Sequence, residues 1–158
     1  MKNLFTWALS LFVAFIFVQS TFFKFSGAEE TVIIFSTIAA WMSSIGLPEA
    51  LATAFGRFGA YGVGTAELIA AALILVPATR RLGASLSLLV ISGAIFFHLF
   101  TPLGIDRVID QAGTTDGGAL FATAVAVWAS SALVLALAGR RASVRSEGLA
   151  ADAALAPA

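Results

Sequence analysis

The sequence predicts an all-α protein, a polytopic membrane four-helix bundle with a short amphipathic outer-face helix between spans 1 and 2. Two observations lead to this fold class. The 158 residues are 59% hydrophobic and only 11% charged, whereas a soluble domain usually has about 25% charged residues. The chain also contains four windows with the roughly 20 mainly apolar residues that a helix needs to cross a bilayer. We therefore expect the lipid bilayer to be the main surroundings of this chain.

The predicted spans follow one another with polar segments between them. They cover Leu4–Phe23, Phe58–Val76, Leu82–Phe100 and Gly118–Ala138. The first span has the basic start and apolar core of a signal peptide, but no small-residue cleavage site follows it. We therefore expect it to be retained as a membrane helix.

The segment between the first two spans has a different pattern. Glu29 and Glu30 suit a helix N-terminus electrostatically, and apolar residues at helical spacing follow them. At about 15 residues this segment is too short to cross a bilayer. We predict a helix at the outer face, ended by the "SSIGLPEA" turn. The alternative is a fifth, distorted span, which would divide the basic residues between the two sides of the membrane.

The basic residues predict the orientation of the chain. Cytoplasmic loops of membrane proteins are enriched in lysine and arginine. In a four-span arrangement one side receives six of the nine basic residues: Lys2, Arg80, Arg81, Arg140, Arg141 and Arg145. We therefore expect a multi-pass protein of the bacterial inner (plasma) membrane with both termini in the cytoplasm. In this interpretation Arg80 and Arg81 only orient the chain, so lysine should replace them at little cost.

The sequence divides into one domain and a tail. Residues 1–138 form a single transmembrane four-helix domain. From Gly139 the chain is rich in Arg, Ser and Ala, and we predict a disordered cytoplasmic tail over residues 139–158.

Several kinds of chemistry are excluded by composition. The chain has no cysteine and one histidine, His98, so it cannot form a disulfide, a thiolate metal site or a haem site with two of its own histidines. Asp106, Asp110 and Asp116 do not match the spacing of a calcium loop, and we expect a solvated loop there. No metal site is predicted, and a net charge of zero gives no sign of nucleic-acid binding.

Glu67 is the residue that most needs an explanation, because it lies near the middle of the second span. An ionised acid at the bilayer centre costs about 2.5–3.5 kcal/mol on insertion scales. Ala60, Gly64 and Ala71 share its helix face, and small residues at this spacing let membrane helices approach closely. We therefore expect Glu67 to face the bundle interior.

Five polar side chains could accompany Glu67 in an outward-opening polar pocket. They are Gln19, Lys24, Arg57, Tyr61 and His98. Lys24 and Gln19 are the expected partners of the acid. Two interpretations of Glu67 stay open: a structural one, in which it is protonated or paired to fix helix register, and a functional one, in which it handles a substrate, quinone or proton. His98 could likewise be only hydrogen-bonded, or could bind a ligand.

The sequence resembles the DoxX-like family of small four-helix integral membrane proteins. The resemblance rests on "FVQSTFFKFSG" (Phe17 to Gly27), on "FGRFGAYGVGTAELIAAALILVPATRRLGA" (Phe55 to Ala84) and on the order of elements. The family often has a glycine at the position of Ser20. The family pattern places weight on Lys24, Gly27 and Glu67, of which Glu67 is the catalytic candidate.

What this resemblance implies is a subunit of a redox-linked membrane system that uses a quinone or acts in sulfur or oxidative-stress chemistry. No cofactor is evident from the residues, and a quinone is compatible with the resemblance. A soluble or membrane redox partner would be needed, and an oligomer is compatible with the sequence. The alternatives are a non-catalytic membrane assembly or scaffold protein and a small-solute or proton transporter.

Overall fold

The structure, a computed structural model, describes the backbone of residues 2–154 and the side chains of residues 3–138. Its helices are α1 (Lys2–Ser26), α2 (Glu29–Ser44), α3 (Glu49–Leu75), α4 (Arg80–Phe100) and α5 (Ala119–Ala154). By length and composition, four of the helices can cross a membrane: α1, α3, α4 and the first part of α5, residues 119–138. The predicted fold class is confirmed, with α2 as the short helix between the first two spans.

The four spans form a closed ring. Each span packs against two others, in the order α1, α3, α4, α5 and back to α1. The core of the ring contains Val13, Phe17, Ala71, Ile74, Ala84, Val127 and Val134. These residues recur at helical spacing within their helices, because one stripe of each helix must face its neighbours.

One end of the ring carries a cap, which consists of α2, the start of α3 and the segment 101–118. We call this the capped end. It has its own small core, formed by Ile38, Met42, Ala52 and Leu103. α3 begins at Glu49 rather than at the predicted Phe58, because its first turns pack on α2 instead of continuing the apolar span.

The turn between α3 and α4 is short and brings the two helices into direct contact. A Cβ added to Gly83 would lie 2.3 Å from the backbone nitrogen of Ile74, so the two helices touch here. Arg80 is buried, its Nε donates a hydrogen bond to the Ile74 carbonyl at 3.0 Å, and its guanidinium lies 4.2 Å from the centroid of the Trp7 ring. The expectation that Arg80 only orients the chain is therefore wrong, whereas Arg81 is exposed.

The segment after the fourth span continues the α5 backbone as far as Ala154. The side chains of residues 139–158 and the backbone beyond Ala154 lie outside the described residues. The predicted disordered tail over residues 139–158 stays a prediction, as do the division into domains and the cytoplasmic orientation of the termini.

Candidate functional site

Glu67 lies on the face of α3 that packs against α1. It is only 5% exposed, and Ala60, Gly64 and Ala71 on the same face are buried with it. The approach of α1 is close, since a Cβ added to Gly64 would lie 2.7 Å from the ring of Phe25. The small residues thus place an acid against the neighbouring helix, as their spacing predicts.

Lys24, near the end of α1, forms an ion pair with Glu67. Its Nζ lies 3.0 Å from both carboxylate oxygens, and the two side chains are 15% and 6% exposed. Of the two partners that the sequence predicts for Glu67, Lys24 therefore makes the contact. A charge of opposite sign at this distance offsets part of the cost of burying either group.

Two hydroxyl groups of α1 complete the surroundings of the carboxylate. Ser20 Oγ donates to Glu67 Oε1 at 3.3 Å and accepts a hydrogen bond from Lys24 Nζ. Thr21 Oγ1 lies 3.4 Å from Glu67 Oε2 and 3.1 Å from the Gly64 carbonyl. Sequence reasoning did not assign either residue to the site. Their positions one helical turn before Lys24 were a usable signal, because residues three and four apart share a helix face.

A cavity of about 690 Å³ lies between the spans on the side of the capped end. This volume is within the range of small-molecule sites, which are mostly apolar with a few polar groups. Residues of α1, α2, α3, α4 and α5 and the segment 101–118 line it, and most are apolar or aromatic. The polar lining residues are Gln19, Ser20, Lys24, Glu30, Thr31, Glu67, His98, Arg107 and Thr123.

Gln19, Lys24, Glu67 and His98 are the predicted site residues that line this cavity. His98 is buried, and its Nδ1 lies 2.7 Å from the Gly104 carbonyl. Because a carbonyl can only accept a hydrogen bond, Nδ1 carries the hydrogen. This bond also attaches the end of α4 to the segment 101–118.

Arg57 and Tyr61 are not part of the cavity, contrary to the sequence-based expectation. Both are exposed; Arg57 lies over the ring of Phe58, and Tyr61 contacts Phe25. The reason is helix geometry. Tyr61 precedes Glu67 by six residues, which rotates it about 120° around α3, away from the face of the acid.

Arg107 is the polar lining residue that sequence reasoning missed most clearly. It is 1% exposed, its Nη2 is paired with Glu30 of α2, and its Nε lies 3.7 Å from Asp116 Oδ2. Burial lowers the pKa of Arg107, and the charge of Asp116 opposes this shift. Most residues of the segment 101–118 are exposed, as expected of a solvated loop, but the segment also holds a buried guanidinium in the cavity wall. Charge alone could not indicate this, because buried and exposed loop arginines have the same local sequence pattern.

Of the aspartates of this segment, Asp106 is exposed as expected, whereas Asp116 is largely buried. Asp116 accepts hydrogen bonds from the backbone N–H groups of Gly118 and Leu120, both at 3.0 Å, and so caps the start of α5. Within the part of the chain that the structure describes, no group of three or more His, Cys, Asp or Glu side chains could hold a metal ion.

Comparison with known proteins places this chain in a family. Neither a curated protein nor a solved structure matches it. The DoxX family model matches residues 6–100, which is more than half of the chain and includes both Lys24 and Glu67. With four spans of suitable length and composition, the chain is a multi-pass integral membrane protein, and it belongs to the DoxX family.

Proposed function

We propose that this chain is a ligand-binding subunit of a redox-linked system of the bacterial inner membrane, and that its cavity binds a quinone or a similar apolar molecule with a polar head. The observation that carries the proposal is the position of the Lys24–Glu67 pair. Both residues belong to the wall of a cavity whose other residues are mostly apolar. Such a cavity suits a ligand that is apolar over most of its surface and polar at one place.

The chemistry of the pair fits a quinone head. The ammonium of Lys24 can donate a hydrogen bond to a carbonyl oxygen, and the carboxylate of Glu67 can accept one from a hydroxyl. Ser20 and Thr21 hold the carboxylate in place. Proton exchange with a reduced head would therefore occur at Glu67, and the positive charge of Lys24 would favour electron density on the nearby oxygen.

Electrons must come from elsewhere, because the chain has no cysteine for a thiol relay. A redox partner, soluble or in the membrane, would supply or remove them. In this proposal the chain binds the quinone and exchanges protons with its head, and the partner transfers the electrons.

The proposal can be tested by binding of decylubiquinone to the detergent-purified protein. The informative variant is the double substitution Lys24→Met with Glu67→Gln, because removing both charges of a buried pair is often nearly neutral for stability. Loss of hydrogen bonds to charged groups costs about 1.5–3 kcal/mol, so we expect the dissociation constant to rise about ten- to a hundredfold.

Arg57→Met is the matched control, because it removes an exposed cation of α3 that lies outside the cavity. Its dissociation constant should equal that of the wild type. Equal binding by the wild type and the double variant would reject the proposed role of the pair. No binding to the wild type would reject quinone binding and favour the non-catalytic assembly alternative.

A further inference from the structure

We infer that Arg107 is a second ligand-binding group of this cavity and donates a hydrogen bond to a neutral carbonyl oxygen of the bound molecule. The inference rests on the proposed function in so far as it uses the same cavity. It adds the chemical group that the ligand must carry and the residue that selects it.

The first argument is an unused donor. Arg107 lines the cavity and is 1% exposed. Its Nη1 has no hydrogen-bond partner among the described residues, and neither has its Nε. Nε is close to Asp116 Oδ2, but their separation of 3.7 Å is too long for a hydrogen bond. Leaving a buried donor without an acceptor is costly, so an acceptor in the cavity would stabilise this arrangement.

The second argument concerns charge. The guanidinium of Arg107 is surrounded by two carboxylates, those of Glu30 and Asp116, and Lys24 and Glu67 balance each other. The positive guanidinium and the two negative carboxylates therefore give the surroundings of the unused donor a net charge of −1. An anionic ligand would add a third negative charge to this cluster, whereas a carbonyl oxygen accepts a hydrogen bond without adding charge. The cavity should therefore prefer a neutral carbonyl compound to a carboxylate.

The third argument is the position of Arg107 in the chain. The family model matches residues 6–100, so Lys24, Glu67 and His98 lie inside the matched part and Arg107 lies beyond it. The pair on α1 and α3 thus belongs to the family region. The segment 101–118 supplies the additional donor, and we assign to it the selection of the ligand.

The test compares three probes with the same number of carbon atoms: methyl nonyl ketone, undecane and undecanoate. Their dissociation constants are measured with the wild type and with Arg107→Lys in the same detergent. Lysine keeps the positive charge beside Glu30 and Asp116 but has one nitrogen in place of the planar donor fork of arginine, so its ammonium stays with the two carboxylates and leaves no donor for the ligand. We expect the wild type to bind the ketone about tenfold more tightly than either other probe, as suits one hydrogen bond to a charged donor. In Arg107→Lys this preference should nearly disappear, and in the control Arg57→Lys it should persist.

A second measurement does not depend on the folding of an Arg107 variant. A carbonyl group that accepts a hydrogen bond absorbs infrared light at a lower frequency. The ketone should show this shift when bound to the wild type and to the double variant Lys24→Met with Glu67→Gln, because Arg107 is intact in both. Loss of the shift in the double variant would assign the hydrogen bond to Lys24 and overturn the inference.

The inference is also overturned if the wild type binds the ketone no more tightly than undecane, or if Arg107→Lys keeps the preference. These outcomes are distinguishable from a failure of the proposed function. The proposed function fails if the wild type and the double variant Lys24→Met with Glu67→Gln bind decylubiquinone with the same dissociation constant, whatever the result with the ketone.

Discussion

At the scale of single residues, the site depends on charged side chains that are buried together. Lys24 and Glu67 come from different helices and are both largely removed from solvent. Either charge alone in this place would be poorly solvated, because the neighbouring groups are hydroxyls and apolar side chains. The two charges therefore stabilise the contact of α1 with α3 only as a pair.

We predict that Lys24→Met and Glu67→Gln each destabilise the protein more than the double variant does. Breaking a buried ion pair by removing one partner costs about 3–5 kcal/mol, whereas replacing both can be nearly neutral. The measurement is the free energy of unfolding in detergent for the four proteins of this cycle. Arg57→Met, which removes an exposed charge, should change stability by less than about 0.5 kcal/mol. Strictly additive losses would show that the two residues do not stabilise each other.

Arg80 and Arg81 provide a second prediction at this scale, because they are neighbours with opposite surroundings. Arg80→Lys should destabilise the protein by about 1–3 kcal/mol, since lysine cannot reproduce the hydrogen bond to Ile74 and the stacking on Trp7 together. Arg81→Lys should have no measurable effect, because Arg81 is exposed. Thermal unfolding of the two variants in detergent compares them directly, and equal midpoints would mean that the contacts of Arg80 contribute nothing.

Asp116 links stability to pH. Its burial raises its pKa, but backbone N–H groups of Leu120, Gly118 and Arg107 and the charge of Arg107 lower it more, so the pKa lies below its ordinary value of 3.8. Because the folded state has the lower pKa, the carboxylate stabilises the fold fully above about pH 4. This contribution is lost as the pH falls through the folded pKa.

We therefore expect Asp116→Asn to cost about 1 kcal/mol at neutral pH, because the asparagine amide keeps one acceptor oxygen but loses the negative charge and the second oxygen, and Gly118 and Leu120 donate to different oxygens of Asp116. The difference between wild type and variant should shrink as the pH falls below the ordinary pKa of 3.8 and through the lower pKa of the folded state. Unfolding curves recorded from neutral pH downward measure this. A difference that stays constant with pH would show that the charge of Asp116 has no role in its capping.

At the scale of elements, the close contact between α3 and α4 depends on one glycine. A Cβ on Gly83 would lie 2.3 Å from the nitrogen of Ile74 and 2.6 Å from the carbonyl carbon of Leu73. Both are backbone atoms, so a side-chain rotation cannot relieve the clash. The helices would have to separate, and with them the core around Ile74.

We predict that Gly83→Ala destabilises the protein by about 1–3 kcal/mol or more, as overpacking in a rigid contact does. Gly93→Ala is the matched control on the same helix, because its Cβ would meet no atom within 4 Å. Unfolding of both variants under the same conditions is the measurement. If Gly83→Ala is as stable as Gly93→Ala, the helices do not touch as described.

At the scale of the whole molecule, the order of the four spans brings both described ends of the membrane domain to one side and the cap to the other. This follows from an even number of crossings, because α2 is not a span. In the cap, α2 and the segment 101–118 both contribute to the cavity wall, and they are joined by the pairing of Glu30 with Arg107 and by a hydrogen bond from the backbone N–H of Gln111 to Glu29. The cap side is the periplasmic side if the basic residues orient the chain as they usually do.

We predict that a cysteine at Ala112 reacts with a membrane-impermeant maleimide in intact cells and that one at Ala78 does not. The chain has no cysteine of its own, so each single substitution gives an unambiguous label, and both positions are exposed. Both should react after the cells are opened. Labelling of Ala78→Cys alone in intact cells would reverse the proposed orientation.

The sequence by itself determined the features that depend on hydropathy and on spacing within one helix. The four apolar windows were sufficient to predict the four spans. A helix needs a minimum apolar length to cross a bilayer, and this requirement does not depend on which helices it packs against. The face of α3 that carries Glu67 followed from small residues at three- and four-residue spacing. The start of α3 was not predictable, because its first turns are stabilised by α2 and not by lipid.

Only the tertiary structure decided which side chains meet. Lys24 rather than Gln19 reaches Glu67, because the rotation of α1 against α3 turns Lys24 toward the acid. Arg107 enters the cavity wall because the segment 101–118 folds back under α2, whereas Arg57 faces away. Such contacts depend on helix rotation, helix register and the path of a loop. These are set by the packing of the whole molecule, and no local pattern of residues encodes them.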